Sequence, residues 1–273
     1  MEEVGAMTAL AVAETKPGRT VIEAIGVSKL FGSSSGPVQA LADISFSVGS
    51  GEFVTVVGPS GCGKSTLLQI LAGLVPASSG TIVLDGQTID GPRPDKVGVV
   101  FQDAWLLPWK TAIENIEFPL ALRGVPTAER RARSQALLDL VGLGDSARRY
   151  PHELSGGMKQ RVAIARGLVQ EPSVLLMDEP FAALDEQTRT RMGAELLQIW
   201  ERSGRTILFI THGLAEAIYL ADVVLVMAAN PGRIVERIPV TLPRPRTIDM
   251  IGSEAFGRLR NHIWHLISDR GPL

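Results

Sequence analysis

The chain has 273 residues, 45% of them hydrophobic, with 27 Lys+Arg against 29 Asp+Glu for a formal net charge of −2. That length can bury a sizeable core in one domain or two closely packed subdomains, and the charge balance argues against a dedicated nucleic-acid binder, which is strongly basic. The single cysteine, Cys62, excludes an internal disulfide and a cysteine metal cluster and leans towards a reducing compartment.

Residues 1–19 show no periodicity and carry Lys16-Pro17-Gly18, the composition of a mobile tail. The acidic Met1-Glu2-Glu3 start is unlike a signal peptide, and no apolar run is long enough to cross a bilayer. Runs rich in β-branched residues predict strands at Val21–Val27, Ile44–Val48 and Phe53–Val57, with Gly32–Pro37 as a loop. A Gly-rich turn and a helix through Leu67, Leu68, Ile70 and Leu71 follow, then strands at Thr81–Leu84 and Val97–Phe101. Ile113, Ile116, Leu120, Leu137, Leu138 and Val141 recur at helical spacing, which predicts a helical insertion over about 103–172. Strands return at Val174–Met177, Thr206–Ile210 and Val223–Met227 with helices between them, the pattern of a mostly parallel sheet covered on both faces. Asn230-Pro231-Gly232 predicts a type II turn into a hairpin strand at Ile234–Ile238. Beyond Pro243-Arg244-Pro245-Arg246, the spacing of Phe256, Leu259, Ile263 and Ile267 marks a terminal amphipathic helix. The expected organisation is a tail over 1–19, a main body over 20–245 and a helical extension over 246–273.

Gly58-Pro59-Ser60-Gly61-Cys62-Gly63-Lys64-Ser65-Thr66 follows a predicted strand and opens a predicted helix. In that context glycines let successive N–H groups face phosphate oxygens, Lys64 reaches the β- and γ-phosphates, and the Ser65 hydroxyl can ligate Mg²⁺. The plainer reading is a serine-capped glycine turn with a solvated lysine. Cys62 inside this loop reads as a small spacer in preference to a redox sensor.

Val174–Met177 ends in Asp178 and Glu179, an apolar strand with carboxylates at its carboxyl end, where ligands bind in parallel sheets. Asp178 suits Mg²⁺ and Glu179 suits a general base, against the simpler reading as a helix cap. His212 closes the neighbouring predicted strand and can sense a γ-phosphate or orient water; a lone histidine is more often an ordinary surface or core residue. Ser155, Gly156 and Gly157 at a helix start make a second anion site. One nucleotide needs only one such site, so the second points to contact with another subunit's nucleotide.

With these motifs in order, the chain resembles the ATP-binding cassette family, the nucleotide-binding subunits of ABC transporters, from about Val21 to Ile238. The resemblance casts Phe31 as the aromatic stacked on adenine and Gln102 as the Q-loop glutamine, a further Mg²⁺ ligand. Leu154–Met158 becomes the signature, Ala183-Leu184-Asp185 the D-loop and His212 the switch histidine. It implies a P-loop NTPase fold: a RecA-like, mostly parallel sheet, an antiparallel β subdomain and an inserted α-helical subdomain. It implies ATP and Mg²⁺, and a head-to-tail dimer of identical cassettes in which Lys64, Gln102, Asp178 and Glu179 of one face Ser155, Gly156, Gly157 and Asp185 of the other. Integral membrane permease subunits and, indirectly, an extracytoplasmic solute-binding protein are the implied partners, with no nucleic acid. The implied place is the cytoplasmic face of the inner membrane, as a peripheral subunit.

Leu106-Leu107-Pro108-Trp109, Met158, Asn230–Ile234 and Leu242–Arg246 resemble the nitrate/sulfonate/taurine importer branch. Three positions depart from the family pattern: Met158 where glutamine is usual, Gly213 where aspartate often follows the histidine, and Ala182 before the D-loop. Gly213 can still occupy a helix N-cap. Trp105 and Trp109 read either as a docking border for a membrane subunit or as packing within the insertion. Arg130, Arg131, Arg133, Arg148 and Arg149 read as a solvated face. An ABC-type ATPase acting on DNA or the ribosome is the rival class; one cassette without a heptad run or zinc module disfavours it.

Overall fold

The computed structural model describes residues 19–32, 36–182 and 184–268. All but Arg19 of the expected tail, Ser33–Ser35 of the predicted loop, Ala183 of the D-loop and residues 269–273 of the extension lie outside the described residues.

Two sheets organise the molecule. The strands β1 (Thr20–Phe31), β2 (Val38–Gly49), β4 (Ser79–Leu84) and β5 (Gln87–Ile89) form an antiparallel sheet in the order β2-β1-β4-β5. The second sheet runs β10-β9-β3-β8-β7-β6, from β3 (Phe53–Val57), β6 (Val97–Val100), β7 (Val174–Asp178), β8 (Thr206–Ile210), β9 (Val223–Ala228) and β10 (Arg233–Pro239). Its strands are parallel except β10, which pairs antiparallel with β9 at the edge.

The alternation of side chains along a strand explains why these runs are apolar throughout. Phe53, Val57, Leu175, Met177, Ile207, Phe209, Val224 and Val226 enter one core, shared with most of the helices. Val54, Val56, Val174, Leu176, Leu208, Ile210, Val223 and Leu225 enter the other, shared with the antiparallel sheet and α1 (Lys64–Leu71). Each fully buried side chain of this kind contributes about 1.5–3 kcal/mol.

The helical insertion consists of α2 (Ala112–Leu122), α3 (Thr127–Leu140) and α4 (Gly156–Leu168). A capping box starts α2: Thr111 accepts the Glu114 N–H and Glu114 accepts the Thr111 N–H. Buried Glu117 draws Arg131 to 2.7 Å and Arg130 to 3.6 Å. Arg133 donates to Val169 O at 2.9 Å and pairs with Glu171 at 3.3 Å. The expected solvated arginine face is thus corrected for Arg130 and Arg133, which a buried carboxylate and a helix end draw into partial burial; Arg131, half exposed beside Glu117, stays on the solvated face with Arg148 and Arg149.

Then come α5 (Glu186–Ser203), α6 (Leu214–Leu220) and α7 (Glu254–Ser268). Phe256 and Ile263 of α7 are fully buried in the helical-side core, and α7 packs on α6 and β9.

The predicted hairpin forms between β9 and β10, with Arg233 opposite Ala228. The turn is not type II. The Asn230–Pro231 peptide is cis, Asn230 has φ 59°, and Gly232 has no positive φ. Gly232 is needed for proximity: its N–H donates to Ala40 O at 3.1 Å, its carbonyl accepts from Ala42 N at 2.8 Å, and a β-carbon there would collide with Cys62 O. The short, largely exposed β5 has no counterpart among the predicted strands, and β1 and β2 run further than predicted into half-exposed residues such as Leu30, Phe31 and Val38.

Candidate functional site

The phosphate loop joins β3 to α1, and its side chains divide between site and core. Gly63 has φ 91°, and a β-carbon on it would lie 2.6 Å from Leu41 Cδ2. Cys62 is 1% exposed, with its thiol turned into the core, so only its backbone belongs to the loop surface. Burial pushes that thiol up, against the pull of Lys64. The redox-sensor reading therefore loses its electrostatic basis.

Lys64 is nearly buried, and its ammonium donates to Gly58 O at 3.0 Å and Pro59 O at 3.2 Å. It also lies 4.0 Å from the Glu179 carboxylate. Ser65 donates to Asp178 at 3.2 Å, joining the start of α1 to the end of β7. Burial pushes the Asp178 carboxyl up, partly offset by the Ser65 hydroxyl.

Glu179 leaves β7 with φ 44°, a left-handed conformation that is rare without a glycine. Its N–H donates to Ile210 O at 3.0 Å, which ties it to the end of β8. His212, two residues past β8, places Nδ1 2.8 Å from Glu179 Oε2. Register between adjacent parallel strands thus brings Lys64, Glu179 and His212 together. Gly213 occupies the N-cap of α6, in extended conformation.

No group of three or more His, Cys, Asp or Glu side chains that could hold a metal occurs among the described residues. The Ser65 hydroxyl and Asp178 carboxylate are oxygen donors that suit Mg²⁺ once phosphate oxygens complete its shell.

Gln102 follows β6 and is exposed. The segment around it is held from α4: Gln160 donates to Phe101 O at 3.1 Å, and Arg166 donates to Ala104 O at 2.6 Å and Trp105 O at 2.8 Å. Buried Asn115 bonds both the N–H and the carbonyl of Leu107, and the carbonyls of Lys110 and Thr111. Trp105 and Trp109 are each 70% exposed, which removes the reading that they pack the insertion's own core. Phe31 is 42% exposed at the end of β1, with the Lys29 ammonium 5.0 Å from its ring centroid.

Ser155 is the N-cap of α4 and accepts the Met158 N–H at 3.3 Å. β-Carbons at Gly156 and Gly157 would meet Leu184 and Met192, not the phosphate loop. The Ser155–Gly157 turn is therefore a surface separate from the phosphate loop on the same chain. Asp185 caps α5 by accepting the Thr188 N–H at 3.0 Å, which holds its carboxyl below the usual carboxylate range.

Gln160, Arg166, Arg189 and Glu216 are not among the residues to which the sequence motifs point. Arg166 had a signal: a cation inside Val162–Leu168, an otherwise apolar helical run, must find partners.

A family model described as "ABC transporter" matches residues 41–182. The chain is 49% identical over 207 residues to the taurine import ATP-binding protein TauB of Rhizobium johnstonii, covering 76% of this chain and 79% of that protein. It is 49% identical over 222 residues to the nitrate import ATP-binding protein NrtD of a Synechocystis species, covering 81% and 83%. Among solved structures, the dimeric post-hydrolysis ATP-binding cassette MJ0796 bound to ADP and Pi superposes with a TM-score of 0.70 at 30% identity, covering 81% of this chain and 100% of that one. On the family model and these two relatives, the chain belongs to the ABC transporter family.

Proposed function

We propose that this chain is the ATP-hydrolysing subunit of a membrane importer for a small anionic or sulfur- or nitrogen-containing solute such as a sulfonate, taurine or nitrate. The observation that carries the chemistry is the Glu179 carboxylate held between Lys64 and His212, beside the Ser65–Asp178 pair. Lys64 exchanges its bonds to Gly58 O and Pro59 O for phosphate oxygens. Glu179 takes a proton from the attacking water, and His212 orients that carboxylate. Gln102, Asp178 and Ser65 would hold Mg²⁺, which supplies charge neutralisation at the phosphates. Phe31 stacks on the adenine.

Two half-sites per chain become two whole sites in a twofold dimer. ATP bound from both sides holds the dimer closed, and hydrolysis removes the bridging phosphoryl group, so the differential affinity drives opening. The names of the taurine and nitrate relatives support the solute class. No described helix is long and apolar enough to cross a membrane. The import systems named for the relatives support membrane permease subunits as partners, with a solute-binding protein delivering cargo outside. The exposure of Trp105 and Trp109 supports a permease contact at that edge, and such a contact agrees with a peripheral position on the cytoplasmic face of the inner membrane.

The test is affinity capture from detergent-solubilised native membranes with Glu179→Gln and Mg-ATP, followed by mass spectrometry. A stoichiometric polytopic membrane protein is expected. A partnerless or nucleic-acid-bound cassette would overturn the transporter assignment.

A further inference from the structure

The loop carrying His212 is braced by a network that the hydrolytic reading does not use. The Thr211 N–H donates to Val56 O at 3.2 Å. Its hydroxyl accepts the Gly213 N–H at 2.9 Å and donates to a Glu216 carboxylate oxygen. His212 is thus flanked on both sides by groups bonded to one hydroxyl, and that hydroxyl is anchored by Glu216.

The other Glu216 oxygen, Oε1, is buried and has no hydrogen-bond partner among the described residues. The helices α5 and α6 pack side by side, an added β-carbon at Gly193 lying 3.7 Å from Leu220, and Arg189 and Glu216 each sit one turn before that contact. Arg189 lies on α5, one turn past the Leu184–Asp185 turn. Its Nη2 donates to Leu184 O at 3.0 Å and its N–H to Asp185 O at 2.8 Å. Its Nε is likewise buried and without a hydrogen-bond partner. A buried acceptor and a buried donor of opposite charge, neither satisfied, are costly separately and complementary together. Burial also pushes the Glu216 carboxyl up, as expected for an acid lacking its full set of partners.

We propose that Thr211, Glu216 and Arg189 are positioning residues forming a latch: pairing of Arg189 Nε with Glu216 Oε1 locks the His212 loop to the Leu184–Asp185 turn. In the twofold dimer described above, Asp185 faces the opposite cassette. The latch therefore sets the position of His212 according to whether that turn is engaged. This inference rests on His212 serving the hydrolysis proposed above, and it adds a route by which the partner cassette acts on that histidine.

The test uses the full chain in steady-state ATPase assays with Mg²⁺, with thermal melting on the same samples. Thr211→Val, Glu216→Gln and Arg189→Gln should each lower kcat about tenfold with KM for ATP changed less than about twofold, the signature of a lost transition-state interaction. Arg189→Gln/Glu216→Gln should be no slower than the slower single variant, because one latch is removed once. Arg189→Lys and Thr211→Ser should recover most of kcat. If Glu216→Gln does not fold, Thr211→Val with Arg189→Gln reads the same coupling. Multiplicative losses, unchanged kcat in folded variants, or KM rising in step with the loss would overturn the latch. His212→Ala separates the two readings. Unchanged kcat in that variant sinks the hydrolytic role of His212, whereas a loss there with normal Thr211, Glu216 and Arg189 variants sinks the latch alone.

Discussion

Cys62 shows how finely one loop is divided between its two faces. Its neighbours Gly61, Gly63 and Lys64 serve the site, yet its thiol lies in the core shared by α1 and the antiparallel sheet. Burial raises its pKa, so the thiolate fraction at neutral pH is below that of an ordinary thiol. Maleimide labelling of the folded chain should therefore be slow at pH 7, should speed up with rising pH, and should become fast at pH 7 in denaturant. Rapid labelling of the native chain at pH 7 would contradict this placement. Asp85 gives a second test. Burial pushes its carboxyl up, but the Ser173 hydroxyl at 2.7 Å and Lys96 at 3.2 Å outweigh that and hold it below the usual range. A depressed folded pKa adds stability above the unfolded value, and the gain is lost as pH falls through the folded pKa. Asp85→Asn should cost about 1–2 kcal/mol at pH 7, and its deficit against the parent should shrink in urea melts below the normal carboxylate range. A deficit independent of pH would remove the charge from the explanation.

The short helix α6 depends on residues far along the chain. Arg246, 7% exposed, donates to Ile218 O at 2.8 Å and Tyr219 O at 3.0 Å, and Arg244 donates to Leu220 O at 2.8 Å. These are carbonyls of the last helical turn, which have no intrahelical donors, and cations there also complement the helix dipole. Arg244 further pairs with Asp222 at 2.8 Å and lies 4.2 Å from the Trp200 ring centroid, while Asp222 accepts the Phe53 N–H at 2.9 Å. The Pro-Arg-Pro-Arg segment is thus a clamp joining α5, α6, β3 and β9. Burial lowers the Arg246 pKa to about 10, which leaves it cationic at neutral pH. Arg246→Met should destabilise the chain by about 2–4 kcal/mol, since charge-assisted bonds to buried carbonyls are lost. A denaturation midpoint within error of the parent would show that α6 does not need the clamp.

In the proposed twofold dimer, the separation of the phosphate loop from the Ser155–Gly157 turn on one chain predicts complementation between inactive partners. Lys64→Ala disables both sites of a homodimer through its phosphate loops, and Ser155→Arg disables both through its signature helices. A mixed dimer combines the intact phosphate loop of one variant with the intact signature of the other in a single site. Random pairing of equal amounts should therefore restore about one quarter of parental ATPase. No recovery on mixing would mean that the two surfaces do not share a nucleotide.

Fold class, strand sequence and the position of the Gly-rich loop between a strand and a helix were legible in the linear chain because each is local. Phe53–Val57 and Val174–Asp178 are continuous apolar runs, and the loop at Gly58–Thr66 carries its chemistry within nine positions. The exposure of Trp105 and Trp109, the buried Glu117 that gathers arginines, and the Asn230–Gly232 loop against Cys62 were not legible. Neither were the Arg244 and Arg246 clamp on α6 or the unmatched Arg189 and Glu216. In the clamp, Arg246 and Ile218 are 28 positions apart, and in the latch Arg189 and Glu216 come from different helices. Periodicity reports which face of an element is apolar, but it carries no record of which distant element supplies the charge or hydrogen bond that a buried polar group requires.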